Sequence, residues 1–419
     1  MPLRVRNTLT RRKEILDAPT GAELRVFVCG PTVYDYVHLG HARTYLAFDT
    51  ITRYLKFCGY RVRYLMNITD VAERVVQRAA ELKKDPLELA HHYEAAFLED
   101  MRALGVTEVD KFERASEAIP KMIAQVSALI NKGVAYETET GVYFEVGKFP
   151  KFGQLSGLSH EELSLRRLEL CSSKRNPEDF SLWRKYEQGQ AWDSPWGRGR
   201  PGWHIEDTAV SMGAFGDTYD IHGGASELIF PHHEAEIAQA ESLTGKVPFV
   251  RYWLHTGLLS VSGRKMSKSL GNTIRIRDAL KEYKPAELRF YFGTVHYREP
   301  MTYSHVGLNA ARRRLSRLTH NLTLFLNAEP CQDPQTGKAS ATLASHEAAF
   351  RRFMNDDFNT PEALTVLEKF AGLLAKLGGK VDQGSKATLE EGFRKMAGVL
   401  GILDGQVSIA TREGGAVLP

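Results

Sequence analysis

Cysteine is scarce in this chain: 419 residues hold four, Cys29, Cys58, Cys171 and Cys331, set far apart. So sparse a set excludes a disulfide framework at this length and leaves single thiols open to metal or thiol chemistry. No apolar run approaches the length of a membrane helix. The opening Met1-Pro2-Leu3-Arg4-Val5-Arg6-Asn7 carries no hydrophobic segment behind its basic residues, so neither a membrane span nor a leader is expected, and a cytoplasmic protein is. Charge of one sign is also lacking. The 55 Lys and Arg against 51 Asp and Glu leave +4, which permits a polyanionic partner without demanding one. No internal repeat is visible. At 43% hydrophobic and 25% charged residues the composition is that of a globular protein, and the length suggests roughly two to four domains.

The most informative stretch is Val37-His38-Leu39-Gly40-His41, between an apolar strand over 24–29 and an apolar helix over about 42–57. A strand feeding a glycine turn that opens a helix presents backbone N–H groups and the positive end of the helix dipole to a polyphosphate. His38 and His41 add imidazole donors on the same side. Alone, such a pair reads as surface or packing histidines. A second stretch, Lys265-Met266-Ser267-Lys268-Ser269, changes that reading: a glycine-bracketed basic loop supplies the donors that stabilise charge on a transferring phosphoryl group.

Along the chain, 24–67 reads strand, helix, strand, with parallel strands and a ligand site where they end. Residues 71–105 read as helical with a breaker at Asp85-Pro86, one apolar face carrying Leu89, Tyr93, Phe97, Met101 and Leu104. His91 and His92 on it read as surface residues. A helix over 120–132 and a hairpin over 134–146 follow. The Gly-, Pro- and Trp-rich stretch 179–206 is expected to be irregular backbone closing over a pocket. Pro231 starts a helix on which His232 and Glu236, four apart, share one face at metal-ligand spacing. Helices over 305–327, 345–354, 361–377 and 387–403 form a bundle, and the tail from 404 is expected to fray. Arg312, Arg313, Arg314 and Arg317 form a basic stripe that is either a solvated face or a track for RNA.

The His-Leu-Gly-His and Lys-Met-Ser-Lys-Ser stretches together resemble the two signatures of class I aminoacyl-tRNA synthetases. The resemblance is closest to the cysteinyl-tRNA synthetase family. It is carried by Phe27-Val28-Cys29-Gly30-Pro31-Thr32-Val33-Tyr34-Asp35, His38 to Thr44, Asn67-Ile68-Thr69-Asp70-Val71, Gly202-Trp203-His204-Ile205-Glu206, Asp220-Ile221-His222-Gly223-Gly224, Phe230-Pro231-His232-His233-Glu234 and Lys265 to Ser269. It implies an α/β fold: a Rossmann-type parallel sheet with an insertion, followed by an all-α helical bundle. The expected parts are 1–118 and 201–256 for the two halves of the catalytic domain, 119–200 for the insertion, 257–304 for a stem-contact region, and 305–419 for the bundle, without a distal anticodon module.

The implied activity is ATP-dependent activation of L-cysteine and its transfer to tRNA(Cys), by a monomer using ATP, Mg²⁺ and one Zn²⁺. Cysteine and serine differ by sulfur for oxygen, a difference that an apolar or hydrogen-bonding pocket resolves poorly. Zinc resolves it, because a thiolate is a strong soft ligand and a hydroxyl a weak one. The resemblance puts its ligands at Cys29, Asp207, His232 and Glu236. Asp207 stands where the family usually has cysteine, and a carboxylate is still a zinc ligand.

By the same resemblance His38 and His41 contact the phosphates, Gly40 lets adenine approach, and Lys265 and Lys268 follow the departing pyrophosphate. Gly223, Gly224 and Glu227 fall at the nucleotide, Glu227 replacing a common aspartate at the ribose. Cys29, Thr69, Trp203 and His222 surround the amino acid. After Asp70 the family's acidic and lysine run is replaced by Ala72-Glu73-Arg74. The short C-terminal region admits a second reading, the same adenylate chemistry with a small amine acceptor. A third, a catalytically silent RNA-binding relative, predicts damaged ATP signatures, and both are intact.

Overall fold

The structure, a computed structural model, describes residues 2–19, 21–159, 161–162, 171–186, 189–261, 263–266, 271–332 and 338–403. At its centre lie five parallel strands: β1 (Glu23–Val28), β2 (Arg61–Ile68), β3 (Lys111–Arg114), β4 (Tyr219–Ala225) and β5 (Val250–Thr256). Their order across the sheet is β5-β4-β1-β2-β3. The direction of strand succession reverses between β1 and β4, and a crevice opens there at the carboxyl ends of the strands.

Both faces of the sheet are covered, so its strands are apolar on both sides. Val26 and Val28 of β1 with Tyr64, Met66 and Ile68 of β2 enter one core. Phe27 and Leu65, alternating with them, enter the other. Helix α1 (Leu39–Phe57) joins β1 to β2. It begins three residues before the sequence-based limit because His38 caps it, and it stops at Gly59, whose φ of +90° no helix accepts. The expected helical run over 71–105 is two helices, Glu73–Leu82 and Pro86–Ala103, parted where Lys83 turns left-handed. The apolar face named above is buried, and His91 and His92 are exposed.

The stretch 179–206 corrects an expectation. It contributes strands Phe180–Lys185 and Gly199–Pro201 to a four-stranded sheet with Ala135–Glu137 and Gly141–Phe144. Trp183 is fully buried and meets Trp196 edge-on at 6.0 Å, so these tryptophans build the insertion's core. Gly199 is required there: a Cβ would lie 2.1 Å from the Arg184 carbonyl oxygen.

Two further helices, α2 (Ile205–Phe215) and α3 (Glu234–Thr244), flank the crevice. The bundle comprises α4 (His305–Asn327), α5 (Lys338–Met354), α6 (Thr360–Leu377) and α7 (Gln383–Leu400). A hairpin of Arg4–Asn7 with Arg12–Ile15, not foreseen from its charged sequence, ties the bundle to the sheet through Arg4 N–H to the Asn355 carbonyl at 2.8 Å. Half of the arginine stripe is internal wiring, with Arg312 on Glu287 and Arg314 on Glu368, while Arg313 and Arg317 face outward. The tail from 404 lies outside the described residues.

Candidate active site

The turn into α1 is capped by histidine. His38 Nδ1 accepts the Gly40 N–H at 3.1 Å, and His41 Nδ1 accepts the His38 N–H at 3.3 Å, a reciprocal box usually made by Ser and Glu. Because each Nδ1 is an acceptor, the proton of each neutral ring sits on Nε2. Gly40 admits this packing, since a Cβ would meet the His38 ring at 2.8 Å. The segment following the basic loop pairs directly with the turn, Leu39 N–H donating to the Ile274 carbonyl at 2.9 Å. Lys265 ends a two-residue strand paired with Leu259–Val261. Lys268 lies outside the described residues.

Across the crevice, three distant segments converge. His232 Nε2 lies 3.6 Å from Cys29 Sγ, 3.3 Å from Asp207 Oδ2 and 3.3 Å from Glu236 Oε1. Neighbouring ligand atoms around a tetrahedral zinc sit ~3.3–3.8 Å apart, as bonds of about 2.0–2.3 Å require. Asp207, His232 and Glu236 form one group able to share an ion, and Cys29 joins His232 and His233 in another.

Burial, then Asp207 and Glu236, push the Cys29 thiol well above its usual range. Burial, then Asp207 and Glu206, do the same to the Glu236 carboxyl. Both Glu236 oxygens are buried without a hydrogen bond. Orphaned carboxylate oxygens beside a thiol, a second carboxylate and an imidazole are a donor set suited to a dication.

A second layer holds these groups. His232 Nδ1 meets His204 Nδ1 at 2.9 Å, which leaves the Nε2 lone pair facing the cluster when Nδ1 carries the proton. The indole of Trp203 stacks on His232, centroids 4.3 Å apart. Asn67, fully buried, donates to Asp207 Oδ1 at 2.7 Å and accepts the Gly30 N–H at 2.7 Å. Asn67, His204 and Glu206 had no role in the sequence reading, although each sits inside a motif that it quoted. Their signal was position alone.

The remaining candidates divide between the cavity and the structure behind it. A cavity of about 600 Å³ is lined by Cys29, His38, Gly40, His41, Trp203 and Glu227, among others. Thr69 is buried, its hydroxyl donated to Glu206. His222 is buried behind Glu236, with Nδ1 3.5 Å from Oε2 and 2.6 Å from the Tyr219 hydroxyl. Gly223 and Gly224 are buried in β4, where a Cβ would strike Phe48 at 2.2 Å and His233 at 2.8 Å respectively. Arg43 donates to the Gly257 and Leu258 carbonyls, fixing the cavity floor.

A parallel sheet with its crevice at the strand reversal and a polyphosphate-type helix start are the architecture of a class I tRNA synthetase. Residues 16–313 match the family described as tRNA synthetases class I (C) catalytic domain, and 349–404 the DALR domain. The chain belongs to the cysteine–tRNA ligase family. It is 45% identical to the cysteine–tRNA ligase of Thermococcus onnurineus over 96% of this chain and 87% of that one. With the Geobacillus thermodenitrificans enzyme it shares 45% over 88% and 80%. The fold is shared with Mycobacterium tuberculosis methionyl-tRNA synthetase in complex with methionyl-adenylate (TM-score 0.65, 16% identity, 91% of this chain and 90% of that one). It is shared too with Agrobacterium radiobacter LeuRS (TM-score 0.67, 12% identity, 91% and 84%).

Proposed function

We propose that the protein activates L-cysteine with ATP and transfers it to tRNA(Cys). The observation that supports this most is the thiol–carboxylate–imidazole cluster, whose Cys29 lines the same cavity as the histidine-capped start of α1. Cys29, Asp207, His232 and Glu236 would hold zinc, which would supply a soft Lewis-acid centre favouring a thiolate over a neutral hydroxyl. Trp203 stacks on the His232 ring at the cavity side of the cluster.

The chain's own residues then act by position and charge. The substrate carboxylate attacks the α-phosphorus of ATP; a carboxyl–phosphorus bond forms, and the bond to the β-phosphate oxygen breaks. His38 and His41 donate Nε2–H to the phosphates, and the dipole of α1 adds positive potential there. Lys265 and Lys268 would stabilise the leaving pyrophosphate, whose charge Mg²⁺ would share. A terminal ribose hydroxyl of the acceptor then attacks the activated carbonyl and AMP leaves. The relatives described above are named as tRNA ligases, and no observation favours a small amine instead.

The test is ATP–pyrophosphate exchange by the purified chain with each amino acid in turn. Cysteine should support exchange and serine should be at least ~10³-fold poorer in kcat/KM. Chelation that strips the metal should remove this preference. Equal exchange with both amino acids would refute the reading.

A further inference from the structure

The reaction has three substrates, and the cavity is lined on three sides. Cys29 and Trp203 lie at the amino-acid side; His38, His41 and Glu227 lie at the nucleotide side. The third side is formed by Tyr34 and the Ala72-Glu73-Arg74 segment that opens helix Glu73–Leu82.

The charges on this side are arranged unequally. The Glu73 carboxylate accepts from Arg200 at 2.7 Å and from the Tyr186 hydroxyl at 2.8 Å, both on the insertion. Arg200 is buried and stacks over the Tyr186 ring at 3.9 Å. Glu73 is thereby neutralised. Arg74 is exposed, and among the described residues no carboxylate pairs with it. Its guanidinium meets the Tyr34 hydroxyl at 3.2 Å and lies 5.8 Å from that ring's centroid. A cation held beside a half-exposed aromatic ring is the pairing that binds single-stranded nucleic acid, the cation on phosphate and the ring on a base.

We propose that Tyr34 and Arg74 form the platform that seats the 3′-terminal nucleotides of the acceptor tRNA, with the Glu73–Arg200–Tyr186 contact making the insertion part of that platform. This rests on the functional reading above. The experiment compares wild type, Arg74→Ala and Arg74→Lys in cysteine-dependent ATP–pyrophosphate exchange and in charging of total tRNA over a salt series. Arg74→Ala should keep exchange within about twofold while raising KM for tRNA ~10-fold and lowering the log–log salt slope of tRNA affinity by about 0.7–1, one phosphate contact. Arg74→Lys should restore the slope. An unchanged KM for tRNA in Arg74→Ala overturns the proposal, as does an equal rise in KM for ATP, which would place Arg74 on the nucleotide. A wild-type chain without cysteine-dependent exchange overturns the functional reading itself.

Discussion

Replacing Asn67 by alanine tests how the proposed metal site is held. The Asn67 carboxamide links Asp207 to the start of the loop after β1, donating to Oδ1 at 2.7 Å and accepting the Gly30 N–H at 2.7 Å, in a fully buried position. Truncation leaves two polar partners buried without this residue. Each such group costs about 1–3 kcal/mol, so the chain should lose ~2–6 kcal/mol of stability. Freed from its donor, Asp207 also loses its orientation toward His232. Outer contacts of this kind are typically worth 10–100-fold in metal affinity, ~1.4–2.7 kcal/mol. Urea unfolding reads the first loss, and zinc competition against a chromogenic chelator under native conditions reads the second. A variant destabilised as expected but competing for zinc as wild type does would refute the positioning role of Asn67.

Other outcomes follow from burial and charge elsewhere. Asp49 is fully buried and takes Arg289 at 2.6 Å, so Asp49→Ala, which leaves the Arg289 cation uncompensated, should cost ~3–5 kcal/mol in denaturant unfolding. The double variant Asp49→Ala/Arg289→Met should cost less; equal or greater cost contradicts this. Burial pulls His255 down to about 3 from an ordinary 6.5. Its contribution, ~5 kcal/mol at most, is therefore complete above pH 6.5 and lost as pH falls through about 3. Stability measured from pH 7 to 4 should decline less steeply in His255→Gln, and an identical decline would argue against it. Burial pushes the Cys171 thiol up, but hydrogen bonds from Ser173, Thr140 and Tyr143 outweigh it and bring it to about 6. Cys58 is raised by its burial. Iodoacetamide at pH 7 should therefore alkylate Cys171 before Cys58, as peptide mass spectrometry would show, and the reverse order would contradict the thiolate assignment.

Local patterns carried much of the fold. The apolar run through Val26, Phe27 and Val28, the helical face from Leu89 to Leu104 and the bundle helices depend on near-neighbour pattern, which a single chain displays. The 179–206 region misled because Gly, Pro and Trp are turn and loop signals, whereas here Trp183 fills a core and Gly199 allows two strands to touch. The N-terminal hairpin was hidden because its strands carry arginines on the outer face, with Val5 and Asn7 buried beneath. In the site, His232 and Glu236 have metal-ligand spacing, which alone reads as a surface hydrogen bond as readily as a site. Cys29 and Asp207 emerged only through family resemblance, since strands β1 and β4 and helices α2 and α3 bring them together across some two hundred residues of chain. Asn67 and His204 touch the proposed ligands Asp207 and His232 rather than joining them, and such partners have no local signature.

The most direct measurement is transfer of labelled cysteine to total tRNA by the purified chain with ATP and Mg²⁺, beside cysteine-dependent ATP–pyrophosphate exchange. The account predicts exchange with cysteine and an acid-precipitable cysteinyl-tRNA that alkali hydrolyses. Exchange without any charged tRNA would contradict it and would point to another acceptor.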